Sequence, residues 1–193
     1  MRHALIVAHP KPESFTLAVA QAYADAARAR GHDVQLRDLY RMKFSPCLEA
    51  DEMPGTEFAP RPDVAAEREV LSRVDAFAFF YPFWLNAPPA MMKGYMERVF
   101  GMGFAYGPSK GGNVPLLKGR KMISFTSSGA PTEWVVKTGA WDAARKLFDE
   151  HLASMCGFDL LDHVHFGGIV PNIRKDVIAR HLAEVRERVT RFF

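Results

Sequence analysis

Strand-like runs and helical patterns alternate five times along this chain, and that alternation constrains the fold more than any other feature of the sequence. Arg2 to Ala8 is short and nearly all apolar and reads as a central strand. Ser14 can cap a helix to about Arg30, with Phe15, Val19, Ala22, Tyr23 and Ala26 inward and Gly31 to end it. Asp33 to Leu36 is a second strand, Asp63 to Val74 a helix, and Asp75 to Phe80 a third strand. Pro88 and Pro89 open the next helix, because proline is tolerated where the first N–H has no intrahelical partner. Along it Met92, Met96, Val99 and Phe100 recur at helical spacing. Gly101 to Gly107 is a glycine-broken aromatic loop, Ser109 to Gly119 a polar one, and Arg120 to Thr126 the fourth strand. One helix is expected from about Thr138 to Met155, with Trp141, Ala144, Phe148, Leu152 and Met155 on one face. The fifth strand lies within Phe158 to Ile169. After Pro171 and Asn172 a last helix carries Ile178, Leu182, Val185, Val189 and Phe192 on one face. The expectation is one α/β domain over residues 1–193: a doubly wound, five-stranded parallel sheet of order 2-1-3-4-5, with helices on both faces.

Asp38 to Pro62 falls outside this alternation. It carries Pro46, Pro54, Pro60 and Pro62, and irregular segments of that length inside a domain are often functional. A net charge of +3 with no dense basic block argues against nucleic acid as the partner. No apolar run is long enough to span a bilayer, and the N-terminus runs straight into a strand with no signal peptide, so a soluble cytoplasmic protein is expected. Cys47 and Cys156 form no CxxC pair and read as ordinary thiols. HExxH, GxSxG and EF-hand patterns are absent. His163 and His165 share one face of a strand, near only Asp159 and Asp162, and read as a solvated face rather than a metal site.

In a sheet of this order the loops after the first, third and fourth strands meet at one crevice. The first, His9 to Thr16, ends at a helix start, where backbone N–H groups and the hydroxyls of Ser14 and Thr16 can hold a phosphate, with His9 and Lys11 adding positive charge. A plain helix cap reads equally well. GxGxxG and P-loop patterns are missing, which argues against a nucleotide held in a Rossmann-type loop. The second loop, Tyr81 to Ala87, offers Phe83, Trp84 and the amide of Leu85, which suit a planar ligand or else serve as core aromatics. The third, Thr126 to Pro131, offers small residues and backbone donors that can approach a ring and stabilise negative charge on it.

AHPKPESFT after the first strand, YPFWLNAPPAMMKGYMERVFGMGFAYG and the TSSG loop together resemble the NAD(P)H:quinone oxidoreductase family, DT-diaphorase-like flavoproteins of flavodoxin-like fold, and here the short bacterial type. The resemblance implies a bound flavin, FAD by analogy with the larger members or FMN as in some short ones. It points to His9, Ser14, Phe15 and Thr16 for the phosphates. Pro82, Phe83, Trp84 and Leu85 would lie along the ring, and Thr126, Ser127, Ser128 and Gly129 at its pyrimidine edge. It implies NAD(P)H as co-substrate, a quinone or similar small acceptor using the same site in turn, and a homodimer with the site at its interface. Trp84, Phe104, Tyr106 and Trp134 are then candidate walls for the substrates. Larger members carry a tyrosine and a histidine beyond the fourth-strand loop that accept charge on reduction. Trp134 and Ala140 stand there in this chain and cannot titrate, so the catalytic part falls to Ser127, Ser128 and Gly129, with Trp134 beside them. The alternative is a flavin-fold module that docks on a membrane transporter.

Overall fold

The computed structural model describes residues 1–53 and 59–193. Five parallel strands form the sheet: β1 (Arg2–Val7), β2 (Asp33–Asp38), β3 (Ala76–Pro82), β6 (Lys121–Ser127) and β7 (Asp159–Phe166). Their order is β2-β1-β3-β6-β7, which is the expected 2-1-3-4-5 with a small hairpin counted in. All seven residues of β3 are buried, because a parallel strand at the centre of such a sheet has both faces covered. Its side chains alternate between two cores. Phe77, Phe79 and Tyr81 face the core under α2 (Pro62–Leu71) and α3 (Ala90–Val99). Ala78 and Phe80 join Leu5, Val7 and Tyr23 under α1 (Phe15–Ala29) and α7 (Lys175–Phe192). Each buried phenylalanine contributes about 1.5–3 kcal/mol by leaving water.

The segment after β2 is held by ion pairs. Arg98 on α3 is 3% exposed, and it binds Glu52 at 2.8 Å, Asp63 at 2.8 Å and the Ser45 carbonyl at 2.7 Å. Gly94 permits this packing: a Cβ there would lie 2.0 Å from the Pro46 carbonyl oxygen. Of the four prolines expected in this segment, Pro54 lies outside the described residues.

Three local expectations need correction. The polar loop Ser109–Gly119 holds half of an antiparallel hairpin, β4 (Tyr106–Ser109) with β5 (Gly112–Pro115), turned by the two residues Lys110 and Gly111. Its strands are too short and polar to show an alternating pattern. An unexpected helix, α4 (Thr132–Lys137), comes first, and after Gly139 (φ 75°) the helix expected from Thr138 is in pieces: α5 (Ala140–Ala144), a π-helical stretch Arg145–Glu150, and α6 (His151–Cys156). The π stretch inserts a residue and moves the buried face on by one. Within it Asp149, and beyond it Ala153 and Cys156, are buried, while Phe148 and Leu152 of the expected face are partly buried against the core. His163 is not on a solvated face: it is 8% exposed and hydrogen-bonded on both ring nitrogens. Among the described residues there is no cluster suited to a metal ion, and no helix is long and apolar enough to cross a membrane.

Candidate active site

The loops after β1, β3 and β6 open into one crevice of about 600 Å³ at the carboxyl ends of the strands. Ser14 caps α1: its hydroxyl accepts the Leu17 N–H at 3.2 Å. The N–H groups of Phe15 and Thr16 precede the first intrahelical bond, so they and the positive end of the helix are available to an anion at the crevice. His9 also lines it, with its Nδ1 accepting the Lys11 N–H at 3.1 Å. Burial first of all lowers the pKa of His9, so at neutral pH it is a neutral donor through Nε2 rather than the positive charge expected. Lys11 lines the crevice as expected, and Arg41, which sequence reading missed, braces the loop from behind. Its guanidinium binds the carbonyls of His9 and Pro10 and pairs with Asp38 at 2.9 Å, so it fixes the shape of the first loop.

The second loop contains a tight turn. Trp84 and Ala87 exchange both backbone hydrogen bonds at 3.1 Å, with Leu85 (φ 52°) and Asn86 (φ 57°) left-handed between them. Such a turn leaves the central N–H groups outside its own bond, and it strains Leu85 by about 1–2 kcal/mol. Leu85 is fully exposed, while Trp84 stands half out of the protein with its ring 6.0 Å from that of His9. Phe83 N–H donates to the Ser127 carbonyl at 2.7 Å, locking the second loop to the third. In that third loop the Ser128 N–H is already bonded to the Phe166 carbonyl at 3.0 Å. The donor left is the Gly129 N–H, because the Ser128 hydroxyl donates to the Ala130 carbonyl at 2.8 Å.

The crevice brings together His9, Ser14, Phe15, Thr16, Pro82, Phe83, Trp84, Ser127, Ser128 and Gly129 of the expected set. Others lie elsewhere. Leu85 projects into solvent, and Thr126 lies beneath the floor with Tyr81 and Phe125. Trp134 is half exposed on α4. Phe104 packs on Phe100 and under the Arg68 guanidinium, and Tyr106 lines a separate cavity of about 410 Å³ against Met96 and Phe148. Both aromatics are partly buried against the core of their own chain. The far wall was also missed: Ile169, Val170, Pro171 and Ile173 after β7, and Ile178 on α7. Its signal was GGIVP, apolar residues straight after a strand end. Gly167 lets that wall approach α4, since a Cβ there would lie 2.2 Å from the Thr132 nitrogen.

Beneath the third loop lies a buried polar line. Asp149, fully buried in the π stretch, accepts the Ser124 hydroxyl at 2.8 Å and binds His163 Nδ1. His163 Nε2 meets the Thr126 hydroxyl at 2.7 Å, and the same oxygen meets His165 Nδ1 at 2.9 Å. His165 Nε2 meets the Ser128 hydroxyl at 2.9 Å, which also lies 2.8 Å from the Ala130 carbonyl. Burial, and then the His163 ring, push the His165 pKa down to about 4.

Residues 1–189 match the family described as having a flavodoxin-like fold. A Haemophilus influenzae protein named an uncharacterized NAD(P)H oxidoreductase is 32% identical over 88% of this chain and 85% of its own. The guinea-pig (Cavia porcellus) protein named NAD(P)H dehydrogenase [quinone] 1 is 28% identical over 93% of this chain and 74% of its own. Among solved structures, the NAD(P)H:quinone oxidoreductase from Methanothermobacter marburgensis superposes with a TM-score of 0.86, at 26% identity over 98% of this chain and 97% of that one.

Proposed function

The chain belongs to the family of flavodoxin-like fold, among the NAD(P)H:quinone oxidoreductases, and from that premise we propose that its crevice binds a flavin and moves a hydride from NAD(P)H to a quinone or similar small acceptor. One observation carries this reading: the start of α1, which can take an anion, and the small-residue loop Ser127–Gly129 open into the same crevice as Trp84. A dinucleotide or mononucleotide flavin has a phosphate and a flat ring to match those two features. When bound, the flavin supplies the two-electron chemistry. The chain binds, orients and excludes water. The N–H groups of Phe15 and Thr16, the hydroxyls of Ser14 and Thr16 and His9 Nε2 hold the phosphates. Pro82, Phe83, Trp84 and the Leu85 amide flank the ring, and the Gly129 N–H and Ser128 hydroxyl face its polar edge, with Ser127 and Thr126 behind them. Trp84 walls the substrate side, and productive transfer needs the two reactants about 3–3.5 Å apart. The flavin is FAD or FMN, which share the same ring and differ only beyond the first phosphate.

A homodimer completes the proposal. Trp84 and Trp134 are each more than two-fifths exposed and Leu85 wholly so, and a second copy would cover them. Phe104 and Tyr106 reach a substrate only if they come from that second chain. Sedimentation velocity of the flavin-loaded protein at micromolar concentration should give a dimer, and a fully active monomer would remove the partner from the site. A cytoplasmic location fits the two free thiols, one of them exposed. The reading as a transporter-docking module finds no support in the comparisons.

Equilibrium dialysis against FMN and FAD tests the binding. One of them should bind tightly, and Gly129→Val should weaken it at least tenfold, about 1.4 kcal/mol, with the melting temperature unchanged. The fold tolerates that side chain, because the nearest atom to a Cβ at Gly129 is the Ile169 oxygen at 4.0 Å. Unchanged affinity in Gly129→Val would remove the third loop from the site.

A further inference from the structure

A line of hydrogen bonds runs from the buried Asp149 carboxylate to the crevice, through side chains of β6 and β7. Its contacts are Asp149–His163, His163–Thr126, Thr126–His165, His165–Ser128 and Ser128–Ala130. Each of these five contacts takes one hydrogen. With Asp149 ionised and both rings neutral, the rings and the two hydroxyls bring four, whichever tautomers are chosen. The line is one proton short. A fifth proton fills every contact and cancels the buried negative charge, and both changes are favourable where water is excluded.

We propose that Asp149, His163, Thr126, His165 and Ser128 form a one-proton store, which gives its proton at the Ser128 hydroxyl to the group in the crevice and is reloaded there. The delivery half rests on the flavin reading above. The transfer balances. His165 Nε2–H passes to Ser128 Oγ as the Ser128 hydroxyl proton leaves, so the acceptor gains one proton and the line goes from neutral to a single negative charge. The overall reaction proposed, NAD(P)H plus a proton plus quinone giving NAD(P)⁺ plus hydroquinone, consumes one proton per turnover. The line holds one.

The surroundings suit a store. Burial pushes the His165 pKa down to about 4, so at neutral pH it is neutral and carries the proton only in passing. Tyr81 on β3 faces the same carboxylate. Burial first and the Asp149 charge second keep its phenol protonated, so it does not compete for the proton. Phe83 and Trp141 pack against the two rings, at 4.8 Å from His165 and 4.7 Å from His163, and bring no charge. Ser124 fixes the other carboxylate oxygen. The line would thus supply the proton that Trp134 and Ala140 cannot, with His165, Thr126, His163 and Asp149 as positioning residues behind Ser128.

Imidazole ¹⁵N resonances test the store on flavin-free protein. The ring signals of His163 and His165 should change together as one proton enters the line, with His165 changing tautomer rather than charge. Asp149→Asn should move that uptake to lower pH, because the buried negative charge that holds the proton is gone. Ring signals that change independently during that uptake, or an Asp149→Asn protein whose signals change as in wild type, would overturn the store. Delivery is read on the flavin-loaded protein. Anaerobic reduction should return the ring signals to the neutral pattern in wild type and leave them loaded in Ser128→Ala. Ser128→Ala should also slow turnover by roughly 10²-fold, the low end for a positioned proton donor, with KM for NAD(P)H unchanged. Ring signals in wild type that ignore reduction would overturn delivery. A protein that binds no flavin would overturn the function and delivery together, while the shared titration still stands or falls by itself.

Discussion

Arg98→Ala should lower the free energy of unfolding by about 3–5 kcal/mol, a large part of the 5–15 kcal/mol that holds a typical domain folded. Arg98 is buried with Glu52, whose side chain is only 4% exposed, so alanine would leave a carboxylate inside the protein with no cation. It would also free the Ser45 carbonyl and strip the guanidinium from the Phe44 ring, which it covers at 5.2 Å. Urea unfolding is the measurement. The double change Arg98→Met with Glu52→Gln should recover most of the loss, since the cost lies in the orphaned charge rather than in the missing pair. The Arg98 hydrogen bond also holds the Asp63 carboxyl below its usual value of 3.8. That pairing is therefore fully present above about pH 4 and is lost as the pH falls further, because Asp63 is then protonated more readily in the unfolded chain than in the folded one. A loss under 1 kcal/mol would mean that the segment after β2 is not held by this cluster.

Ser14→Ala with Thr16→Ala should loosen flavin at least tenfold. Each hydroxyl lines the crevice beside the start of α1, and a hydrogen bond to an anionic group is worth roughly 1.5–3 kcal/mol. Ser14 has a second task, since it accepts the Leu17 N–H, so its loss also costs the helix about 1 kcal/mol. Thr16→Ala alone separates the two effects: it should weaken binding with the cap intact. Fluorescence titration with FMN and FAD reads both. Wild-type affinity in the double variant would move the phosphate away from this loop.

The strands were legible because a parallel strand covered on both faces reads as an apolar run, and Ala76 to Phe80 is the plainest case. The three loops were legible because they follow strand ends and carry proline, glycine and hydroxyl residues. What stayed hidden depends on contacts distant in sequence or on one residue of helical phase. The π stretch leaves no compositional mark, so nothing in the helical spacing points to Asp149 as the fully buried position. His163 and His165 were rightly paired on one strand face, but the partners that bury them, Asp149 and Thr126, lie 14 and 37 residues from His163. Arg41 reaches a loop 31 residues earlier, and no local pattern predicts it. The hairpin from Tyr106 is too short for periodicity to register. Phe104 and Tyr106 are partly buried against their own core, a packing that no local spacing announces.

The central claim, that this crevice holds a flavin reducible by NAD(P)H, is tested most directly by an anaerobic visible spectrum of the FMN- or FAD-loaded protein. The account predicts that the flavin absorbance bleaches on adding NADH or NADPH and returns on adding a quinone. A loaded protein whose absorbance is untouched by either nucleotide, or a protein that takes up no flavin, would contradict it.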